Sequence, residues 1–502
     1  RAVFSTTMAT NAIVMDELDP VGMIVSAGPG IHPAHFAVGP QYHVVPGCLD
    51  HRGMEVVPLH RESVLNAAAS MQKNGVRLAG IVGKFSVRNP IHELQAFQWV
   101  EKVFDYNALG HRFSGTLNFP RRIATTYLNA ALHDIHRRFA SSLADSLTRK
   151  GLEAPRYLLK PDGGTVLLRP SHAFPARTAQ SGPAASVMGA LALDGCAGTC
   201  LVLDVGGTTT DMAVVIDGVP LFVPQGITIG VFRTSIRSLL TRSIGVGGDS
   251  EVRVTRDNIL RVGPLRRGAP AALGGPCPTP TDAFITLGRM PLGDWEKAGK
   301  AMESVGGPLG WDPETTAHRV LQAMAETIAM SARAFVHAIN ERPAYTVYEV
   351  LWGTLIVPDT IVVLGGPAEM IAPYLADAFK LPFRVPRHCE VANAVGAAAA
   401  RVTCEVSLQA DSQRGTVIIP EAGVEQQVRQ SFDTQDALAL ARQAFEKMAM
   451  EENADTLDSA ITEKQEFTMV RGTYRVERNI RLKLSMIPGL IREWGGKEGG
   501  IC

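Results

Sequence analysis

The densest group of reactive side chains lies near the middle of the chain, in the stretch LVLDVGGTTTDMAVVIDGVP at residues 201–220. Asp204 ends one apolar run, and Asp211 begins the next. Between them, Gly206 and Gly207 allow a tight turn whose backbone N–H groups can approach an anion. The hydroxyl groups in the same turn belong to Thr208, Thr209 and Thr210. Two carboxylates beside such a turn suit a hydrated divalent cation, so the pattern predicts a strand-turn-strand hairpin that grips phosphate oxygens.

Two common phosphate-binding motifs do not explain this stretch. A Walker loop requires the pattern G-x-x-x-x-G-K-[ST], and no lysine lies in or just after the turn. A dinucleotide fingerprint requires G-x-G-x-x-G at the start of a helix, whereas the MAVVID run after the turn favours a strand. The remaining alternative is an ordinary glycine-rich hairpin between buried strands. Two acids and three threonines around the turn favour the phosphate-binding interpretation.

Two further glycine-rich turns carry groups suited to the same chemistry. The loop GVGGDS at 245–250 offers backbone donors and the carboxylate of Asp249, a candidate partner for a cation or a proton. A plain turn between two elements is the alternative there. Downstream, a buried-strand pattern ends in Gly365 and Gly366 and is followed by a helical pattern. Glycines at the carboxyl end of such a strand let a flat adenine and ribose approach the backbone.

Helical and strand patterns alternate around these turns and indicate an α/β protein. Residues 117–143 predict one long amphipathic helix, and residues 313–339 predict another long helix. A helix of small residues is predicted up to residue 193, starting at Ser181. Beyond Cys404 the pattern predicts one helix and a strand pair in a small α+β region.

Several polar residues have both a structural and a functional interpretation. Glu93 follows Asn89 and Pro90 in what reads as a simple capped helix. Asn129 either touches a ligand cleft or forms a hydrogen bond between helices. Asp282 either caps the next helix or lines the cleft.

Four motifs together resemble the hydantoinase/oxoprolinase family, which belongs to the actin-like ATPase superfamily. They are DVGGTTTD at 204–211, SGPAAS at 181–186, LGGPAE at 364–369 and VANAVGAA at 391–398. The resemblance runs from Ser5 to about Arg401. The combination of motifs is much more specific than any one of them.

The resemblance implies an α/β, actin-like ATPase fold in which two ribonuclease H-like domains close on ATP and Mg²⁺. We expect the first domain at residues 1–180, the second at 181–403 and the small α+β region at 404–502. The resemblance makes the hairpin at 204–211 the second phosphate hairpin and assigns Mg²⁺ to Asp204. The expected catalytic residues are Asp204, Asp211 and Asp249, and the expected nucleotide-binding residues are Gly206, Gly207, Thr208, Thr209, Thr210, Gly365 and Gly366.

The function that the resemblance implies is that of an ATP-dependent amidohydrolase subunit. The γ-phosphate of ATP would be transferred to the oxygen of a cyclic amide such as hydantoin, 5-oxoproline or a related lactam. Water, often activated in a partner subunit of the hydantoinase B type, would then open the ring. A homo-oligomer is also compatible with the resemblance. Two alternatives stay open: an ATP-driven activator or chaperone, and an inactive nucleotide-binding scaffold subunit.

The first residues also match the family. RAVFSTTMATNAIV at 1–14 resembles the family segment G-T-T-x-x-T-N-A, with Ser5 in place of the glycine. In the family this segment follows a first phosphate hairpin of the type D-x-G-G-T-x-T-D, and only one such hairpin occurs in this sequence. We expect that the first hairpin lies before Arg1 or that the protein lacks it. Apart from the resemblance, STTMATNA predicts a short helix with a Ser/Thr cap.

Composition narrows the class of protein. The 502 residues include 49 basic and 49 acidic side chains, so the chain presents no net positive charge to nucleic acid. Seven cysteines without C-x-x-C spacing argue against a disulfide scaffold and for a reducing compartment. No apolar run approaches the roughly 18 residues of a membrane span. We therefore expect a cytoplasmic protein that binds neither nucleic acid nor a membrane.

Overall fold

The computed structural model describes residues 1–491 except 116, 224, 342–354, 455–458 and 472–474. Within these ranges the chain forms two compact units. The first unit contains Arg1–Ser181, Val223–Ser238 and Ala400–Ile491, and the second contains Gly182–Phe222 and Leu239–Ala399. The second unit therefore holds all the sequence-predicted site residues.

Both units combine helices with strands. The helices are α1 Met8–Val14, α2 Arg61–Lys73, α3 Ile91–Val100, α4 Gly110–Phe113, α5 Phe119–Ala131, α6 His133–Arg149, α7 Ser181–Leu193, α8 Pro280–Thr286, α9 Trp295–Gly306, α10 Pro313–Asn340, α11 Ala368–Phe379, α12 Ala392–Ala399 and α13 Thr434–Glu451. The strands are β1 Ala2–Phe4, β2 Val21–Ser26, β3 Gln41–Val44, β4 Cys48–Leu49, β5 Glu55–Val57, β6 Leu78–Gly83, β7 Tyr106–Leu109, β8 Arg156–Leu159, β9 Thr165–Leu167, β10 Thr199–Val205, β11 Thr210–Ile216, β12 Val219–Pro220, β13 Thr228–Ile229, β14 Phe232–Arg233, β15 Thr241–Ile244, β16 Val252–Val254, β17 Leu260–Val262, β18 Thr360–Leu364, β19 Phe383–Arg384, β20 Glu405–Asp411, β21 Thr416–Ile419, β22 Val424–Gln427, β23 Ser459–Arg471 and β24 Arg475–Met486.

The second unit is built on a sheet with the order β12-β11-β10-β18-β19. Strand β11 is antiparallel to both β10 and β12. Strand β18 is parallel to β10, and β19 is parallel to β18. This is the strand order of a ribonuclease H-like sheet. The central strands β10 and β18 are buried along most of their length, as their continuous apolar runs predict. Their carboxyl ends lie at the same edge of the sheet, and a glycine-rich turn follows each of them.

Two helices rich in small residues, α7 and α12, pack closely in the second unit. A Cβ atom on Gly189 would lie 2.3 Å from the carbonyl oxygen of Ala392, and one on Gly396 would lie 2.2 Å from the carbonyl oxygen of Ala185. A side chain at either glycine would push the two backbones apart. The small residues of SGPAAS and VANAVGAA are therefore explained at least partly by packing.

The first unit contains the parallel sheet β3-β2-β6-β7, which is covered on both faces. Along β2, Met23 and Val25 pack in a cluster with Leu128 of α5. Ile24 faces the other side and packs with Val64 of α2. Because successive strand residues point to opposite faces, burial of all of β2 requires helices on both sides.

The single helix predicted at residues 117–143 is wrong, because the structure has two helices there. α5 ends at Ala131 and α6 begins at His133. Leu132 between them is fully buried and has φ −92° and ψ −4°. Nearly all of α5 is buried, whereas α6 buries a narrow stripe, so the two helices meet different surroundings. One amphipathic pattern over the whole stretch does not reveal this change.

The C-terminal part of the first unit is an antiparallel sheet with the order β22-β21-β20-β24-β23. Helix α13 covers one face of it, and Phe445 packs in a core cluster with Val406 and Leu482. The helix and strand pair predicted beyond Cys404 are confirmed by α13 and by the pairing of β23 with β24. The predicted long helix at 313–339 is likewise confirmed by α10.

Two further findings concern the helices and the cysteines of the described ranges. None of the helices there combines the length and the apolarity needed to cross a membrane. The described cysteines carry free thiol groups and are buried; they are Cys48, Cys196, Cys200, Cys277, Cys389 and Cys404.

Candidate functional site

The hairpin of β10 and β11 places two carboxylates opposite each other. Its antiparallel register pairs Asp204 with Asp211. The N–H of Gly206 donates to the carbonyl oxygen of Thr209 at 2.9 Å and closes the turn. The exposed residues at the tip of the turn are Gly207, Thr208 and Thr209. The predicted hairpin is therefore present, with its acids at the base and its glycine and threonines at the tip.

The tip of the turn offers hydrogen-bond donors that the fold does not use. Within the described ranges, the N–H groups of Gly207 and Thr208 have no acceptor. The hydroxyl groups of Thr208 and Thr209 belong to the same exposed tip. Unpaired backbone donors in a glycine turn are suited to phosphate oxygens.

The two opposed acids differ in their electrostatics. Asp204 accepts a hydrogen bond from the Ser186 hydroxyl of α7, with 2.6 Å between the oxygens. Burial raises the pKa of Asp211 to about 6, the hydrogen bond with Ser243 opposes the rise, and the charge of Asp204 adds to it. A cation bound beside both groups would lower the pKa of Asp211 and favour its ionised form.

The second glycine-rich loop is attached directly to the hairpin turn. The N–H of Gly248 donates to the carbonyl oxygen of Gly206 at 2.9 Å, and that of Asp249 donates to Gly207 at 2.6 Å. A Cβ atom on Gly247 would lie 2.6 Å from either carbonyl oxygen. The N–H groups of Gly248 and Asp249, expected to face phosphate, are thus bonded to the hairpin turn, and the loop supports that turn.

Two of the predicted site residues lie in this supporting contact. The carboxylate of Asp249 is 3.0 Å from the guanidinium of Arg266 and 3.3 Å from the hydroxyl of Thr281. Thr210 is fully buried, and its hydroxyl donates to the carbonyl oxygen of Val246 at 2.7 Å. The Thr210 side chain therefore joins the hairpin to the loop, whereas the Asp249 side chain joins the loop to Arg266 and Thr281.

The Gly365–Gly366 turn follows β18 directly beside Asp204. The register of β10 and β18 pairs Asp204 with Leu364, so the turn begins one residue beyond this pair. Gly365 has φ +98°, and a Cβ atom there would lie 2.2 Å from the carbonyl oxygen of Val205. Only glycine fits that position without displacement of the hairpin. Gly366 is exposed, with open space around its Cα.

These elements enclose a cavity of about 290 Å³, close to the lower end of the range for ligand pockets. Its lining consists of Asp204, Gly206, Thr209, Asp211, Gly365, Gly366, Cys389, Glu390, Ala392 and Asn393. The structure thus brings together six predicted residues from two distant stretches. Gly207, Thr208, Thr210 and Asp249 are not part of this lining. Sequence reasoning missed Glu390, although it directly precedes the VANAVGAA motif.

The charge of the cavity bears on which cofactor it fits. Its lining contains the acids Asp204, Asp211 and Glu390 and neither lysine nor arginine. A phosphate group would be repelled here unless a divalent cation neutralised the acids. Mg²⁺ is commonly held by one or two carboxylates together with water and substrate phosphates. Among the described residues, no group of three or more His, Cys, Asp or Glu side chains is placed to hold a metal. A pair of carboxylates is the donor set that suits Mg²⁺ bound together with a nucleotide.

A buried ionic cluster in the first unit was not predicted from the sequence. Glu93 accepts hydrogen bonds from the N–H groups of Gly83 and His111, each at 2.8 Å, and its Oε2 lies 2.6 Å from Nδ1 of His111. The guanidinium of Arg122 lies 3.8 Å from Glu93 and donates to the carbonyl oxygen of Lys84. Burial alone would raise the pKa of Glu93, yet His111 and Arg122 hold it below its ordinary value. Burial lowers the pKa of Arg122 to about 10.

The remaining polar residues have structural partners. Asp282 is buried at the third position of α8 and forms a capping box with Thr279, which is the capping role predicted as one of two alternatives. Asn129 donates to the carbonyl oxygen of Thr125 within α5 and accepts from the N–H of Ala176 at 3.2 Å. Neither residue lines the acidic cavity.

The N-terminal segment forms the predicted short helix, α1, but with a different cap. Thr7 at the N-cap makes no side-chain capping bond, and the hydroxyl of Thr6 accepts from the N–H of Met8 at 3.1 Å. The backbone N–H of Thr6 donates to the hydroxyl of Ser181, also at 3.1 Å. Ser5 lies 3.1 Å from the same hydroxyl. These matched residues therefore contact the first residue of the SGPAAS motif.

The chain is similar in sequence to subunits of two enzymes. It is 27% identical over 321 residues to the acetophenone carboxylase gamma subunit of Aromatoleum aromaticum, a match that covers 59% of this chain and 43% of the relative. It is 26% identical over 272 residues to the caprolactamase subunit alpha of Pseudomonas jessenii, covering 51% of this chain and 38% of the relative. The matches thus span less than half the length of these two curated relatives.

The fold is shared with a solved structure. The crystal structure of ATP-dependent caprolactamase from Pseudomonas jessenii matches with a TM-score of 0.68 and 18% sequence identity, covering 97% of this chain and 78% of that chain. The predicted α/β fold class is confirmed by this match and by the ribonuclease H-like sheet of the second unit.

The sequence models of one family cover most of the chain. The hydantoinase/oxoprolinase model matches residues 122–406, and the model of the N-terminal region of hydantoinase/oxoprolinase matches residues 1–104. The motifs that suggested the resemblance fall inside the first of these matches. The chain belongs to the hydantoinase/oxoprolinase family.

Proposed function

We propose that this chain is the nucleotide-binding subunit of an ATP-dependent enzyme that opens a cyclic amide. The observation that carries the proposal is the cavity in which the paired carboxylates of Asp204 and Asp211 lie between two glycine turns. Membership of the hydantoinase/oxoprolinase family and the likeness to a caprolactamase subunit support the choice of a cyclic amide as the substrate class.

In this proposal, different residues around the cavity bind different parts of the nucleotide. Asp204 would hold Mg²⁺, and Asp211 would order a water molecule of the cation or accept a proton. The N–H groups of Gly207 and Thr208 receive the terminal phosphates from the tip of the hairpin. The turn at Gly365 gives room for adenosine to lie against the backbone.

The supporting loop has a positioning role in the proposal. The Asp249 carboxylate is held by Arg266 and Thr281, and its backbone N–H is bonded to the hairpin turn. Thr210 ties the base of β11 to the same loop. Together these contacts fix the positions of the N–H donors of the turn, and positioning is the main requirement for phosphoryl transfer.

The proposed chemistry balances as follows. ATP supplies the phosphoryl group, the amide oxygen of the ring bonds to its phosphorus, and ADP leaves. Water then adds to the amide carbon, and the C–N bond breaks to leave an amine and an acyl phosphate. A second water hydrolyses the acyl phosphate to a carboxylate and inorganic phosphate. One cyclic amide, one ATP and two waters thus give one ring-opened product, ADP and phosphate.

A second subunit is part of the proposal. Both curated relatives carry the word subunit in their names. The lining of the acidic cavity contains no histidine, and its one cysteine is the buried Cys389. We place ring opening in a partner of the hydantoinase B type, and self-association of this chain remains a prediction.

The test is phosphate release from Mg–ATP with and without hydantoin, 5-oxoproline and caprolactam. At least one cyclic amide is expected to stimulate release, and Asp204→Asn is expected to lower the stimulated rate by at least about 10²-fold, since metal-assisted charge stabilisation is worth several kcal/mol. Asp217→Asn is the matched control, because Asp217 lies at the far end of β11 and bonds to the N–H of Gly198.

The other outcomes of the same assay would overturn the proposal. Stimulation by a partner protein alone would favour an activator or chaperone, and no release under any condition would favour a scaffold subunit. The 27% identity to the acetophenone carboxylase subunit favours a second candidate, activation of a ketone for carboxylation. Stimulation by acetophenone with bicarbonate, and by no cyclic amide, would support that candidate.

A further inference from the structure

A second cavity, of about 290 Å³, lies within the first unit, and none of the residues proposed for the nucleotide lines it. Residues from the turn between β8 and β9, from β20 and from the C-terminal end of α13 form its walls. The lining residues on which the argument rests are Lys160, Arg177, Thr403, Glu405, Glu421 and Glu452. Both charge signs are present, so the pairing of each group decides what the cavity can bind.

Some of these charged groups are already neutralised by the protein. The ammonium group of Lys160 donates to the carbonyl oxygen of Thr403 at 2.7 Å. The carboxylate of Glu405 lies 3.0 Å from Lys483 and 3.9 Å from Arg237. Burial would raise the pKa of Glu405, but the surrounding cations outweigh burial and lower it to about 2. These groups form the wall of the cavity and need no ligand.

Arg177 is different, because its charge has no carboxylate partner within 4 Å anywhere in the described chain. Its guanidinium carbon lies 4.3 Å from the centre of the Phe174 ring, and this stacking holds one face of the group. The side chain is half-buried at the cavity wall. A guanidinium fixed on an aromatic ring keeps its edge donors free for a planar anion such as a carboxylate.

Two acids of the same cavity lack a cationic partner. The Oε2 atom of Glu452 is buried and has no hydrogen-bond partner in the described part of the chain. Burial raises the pKa of Glu452, and the charges of Lys160 and Arg177 only partly oppose the rise. Glu421 accepts a hydrogen bond from the N–H of Ser407 at 3.0 Å, and its pKa is raised by burial and by the charge of Glu405. Buried carboxylates of this kind are stabilised by an incoming ammonium group.

The cavity wall also shows a close fit that involves the Asp162-Gly163-Gly164 turn. A Cβ atom on Gly164 would lie 1.8 Å from the hydroxyl oxygen of Thr403, so this wall depends on glycine. The Thr403 hydroxyl is buried and has no hydrogen-bond partner among the described residues. A polar ligand in the cavity would supply the missing partner.

We propose that this cavity binds a small zwitterionic amino acid. The carboxylate of the ligand pairs with Arg177, and its ammonium group lies between Glu452 and Glu421. The lining also contains the exposed charges of Lys447 and Glu451. Among its half-buried groups, one guanidinium and two carboxylates have no ion-pair partner in the described chain, and this set fits a ligand that carries one charge of each sign. A simple anion would satisfy Arg177 and leave the acids buried without a partner, and a simple cation would do the reverse.

The inference stands apart from the proposed function, since it rests on residues of the first unit. It also has a consequence for that function. Ring opening of a lactam gives an amino acid, so a site for a zwitterion would let a ring-opened product bind to residues other than those proposed for the nucleotide. Binding and phosphate release are therefore measured separately, and failure of either test leaves the other intact.

The experiment is calorimetric titration of the unmodified protein with L-glutamate and with 6-aminohexanoate, without nucleotide. Each is compared with the analogue that lacks the ammonium group, glutarate or hexanoate. At least one zwitterion is expected to bind at least about tenfold more tightly than its analogue, because a hydrogen-bonded charge is worth about 1.5–3 kcal/mol. Equal binding of zwitterion and analogue, or binding of neither, would overturn the inference without recourse to any variant.

Two substitutions then locate the site. Arg177→Gln and Glu452→Gln are each expected to weaken binding of the zwitterion by at least about tenfold. The controls are Arg429→Gln and Glu446→Gln, which change exposed charges outside the cavity lining. Binding that is unchanged in both cavity variants contradicts the assignment. Melting curves of all four variants show whether any loss of binding reflects loss of the fold.

Discussion

At the scale of single residues, Asp211 combines a cost to the fold with a role in the proposed chemistry. Burial raises its pKa to about 6 from an ordinary value of 3.8. A carboxyl group with a raised pKa contributes its stability below pH 4, and this contribution is lost as the pH rises through about 6. Above that pH the protein holds an ionised, poorly solvated carboxylate beside Asp204.

Asp211→Asn is therefore expected to stabilise the fold in a pH-dependent manner. At pH 8 its free energy of unfolding should exceed that of the unmodified protein by about 1–2 kcal/mol, after allowance for partial exposure of the side chain. Below pH 4 the difference should be small, because both proteins are then neutral at this position. Urea denaturation at the two pH values measures the difference. A gain that is larger at low pH would contradict the electrostatic account.

Glu93 is a residue whose importance lies in the fold of the first unit. Replacing it leaves Arg122 buried without its carboxylate, so Glu93→Gln is expected to cost about 3–5 kcal/mol of stability. Glu55→Gln is the control, since Glu55 bonds to His92 at 2.9 Å from a more exposed position and should cost less than about 1 kcal/mol. Denaturant unfolding of both variants measures the two costs. Equal losses of stability in Glu93→Gln and Glu55→Gln would show that the buried cluster stabilises the fold no more than an exposed ion pair does.

Residue types alone predict which groups can do chemistry but not which of them face the cavity. Asp204 and Asp211 follow from their positions at facing strand ends, which the local pattern fixes. Asp249 and Thr210 have equally suitable side chains, yet that of Asp249 pairs with Arg266 and that of Thr210 bonds to Val246, and neither residue lines the cavity. Such contacts join residues far apart in sequence, and no local spacing reveals them.

At the scale of elements, the turn at Gly365 requires glycine. Gly365→Ala is expected to distort the hairpin, because the new Cβ atom would meet the carbonyl oxygen of Val205 and the residue would keep φ near +98°. We expect a lower melting temperature and at least about tenfold weaker nucleotide binding, since a misplaced donor costs a hydrogen bond of about 1.5–3 kcal/mol. Gly299→Ala is the control, because a Cβ atom there meets open space in α9. Equal melting temperatures for the two variants would contradict the steric argument.

The elements that the sequence predicts best are those with local patterns. The apolar runs of β10, β11 and β18 and the glycines that end them locate the hairpin and the second turn. The break at Leu132 and the attachment of the 245–250 loop to Gly206 and Gly207 depend on surroundings that come from elsewhere in the chain. For the same reason, the local pattern around Glu93 predicts a capped helix and not the buried cluster.

At the scale of the whole molecule, our two proposals assign different ligand chemistry to the two units. The second unit holds the acidic cavity proposed for Mg²⁺ and nucleotide, and the first unit holds the cavity proposed for an amino acid. The family assignment covers both units. The sequence matches cover 43% and 38% of the two named relatives, and the proposal assigns ring opening to a second subunit.

The dependence on a partner is open to direct measurement. With the protein alone, Mg–ATP and a cyclic amide, we expect ADP and phosphate without ring-opened product, because water then attacks the phosphorus of the phosphorylated amide and regenerates the ring. Addition of a hydantoinase B-type subunit is expected to give product in proportion to ADP, as chromatography of both would show. Formation of product by this chain alone would contradict the division of labour.

The most direct test of the central claim is a crystal structure of the protein with Mg²⁺ and a non-hydrolysable ATP analogue. The account predicts that the terminal phosphates lie within hydrogen-bond distance of the N–H groups of Gly207 and Thr208, with the cation beside Asp204. A nucleotide bound elsewhere, with the hairpin turn left in contact with solvent alone, would contradict it.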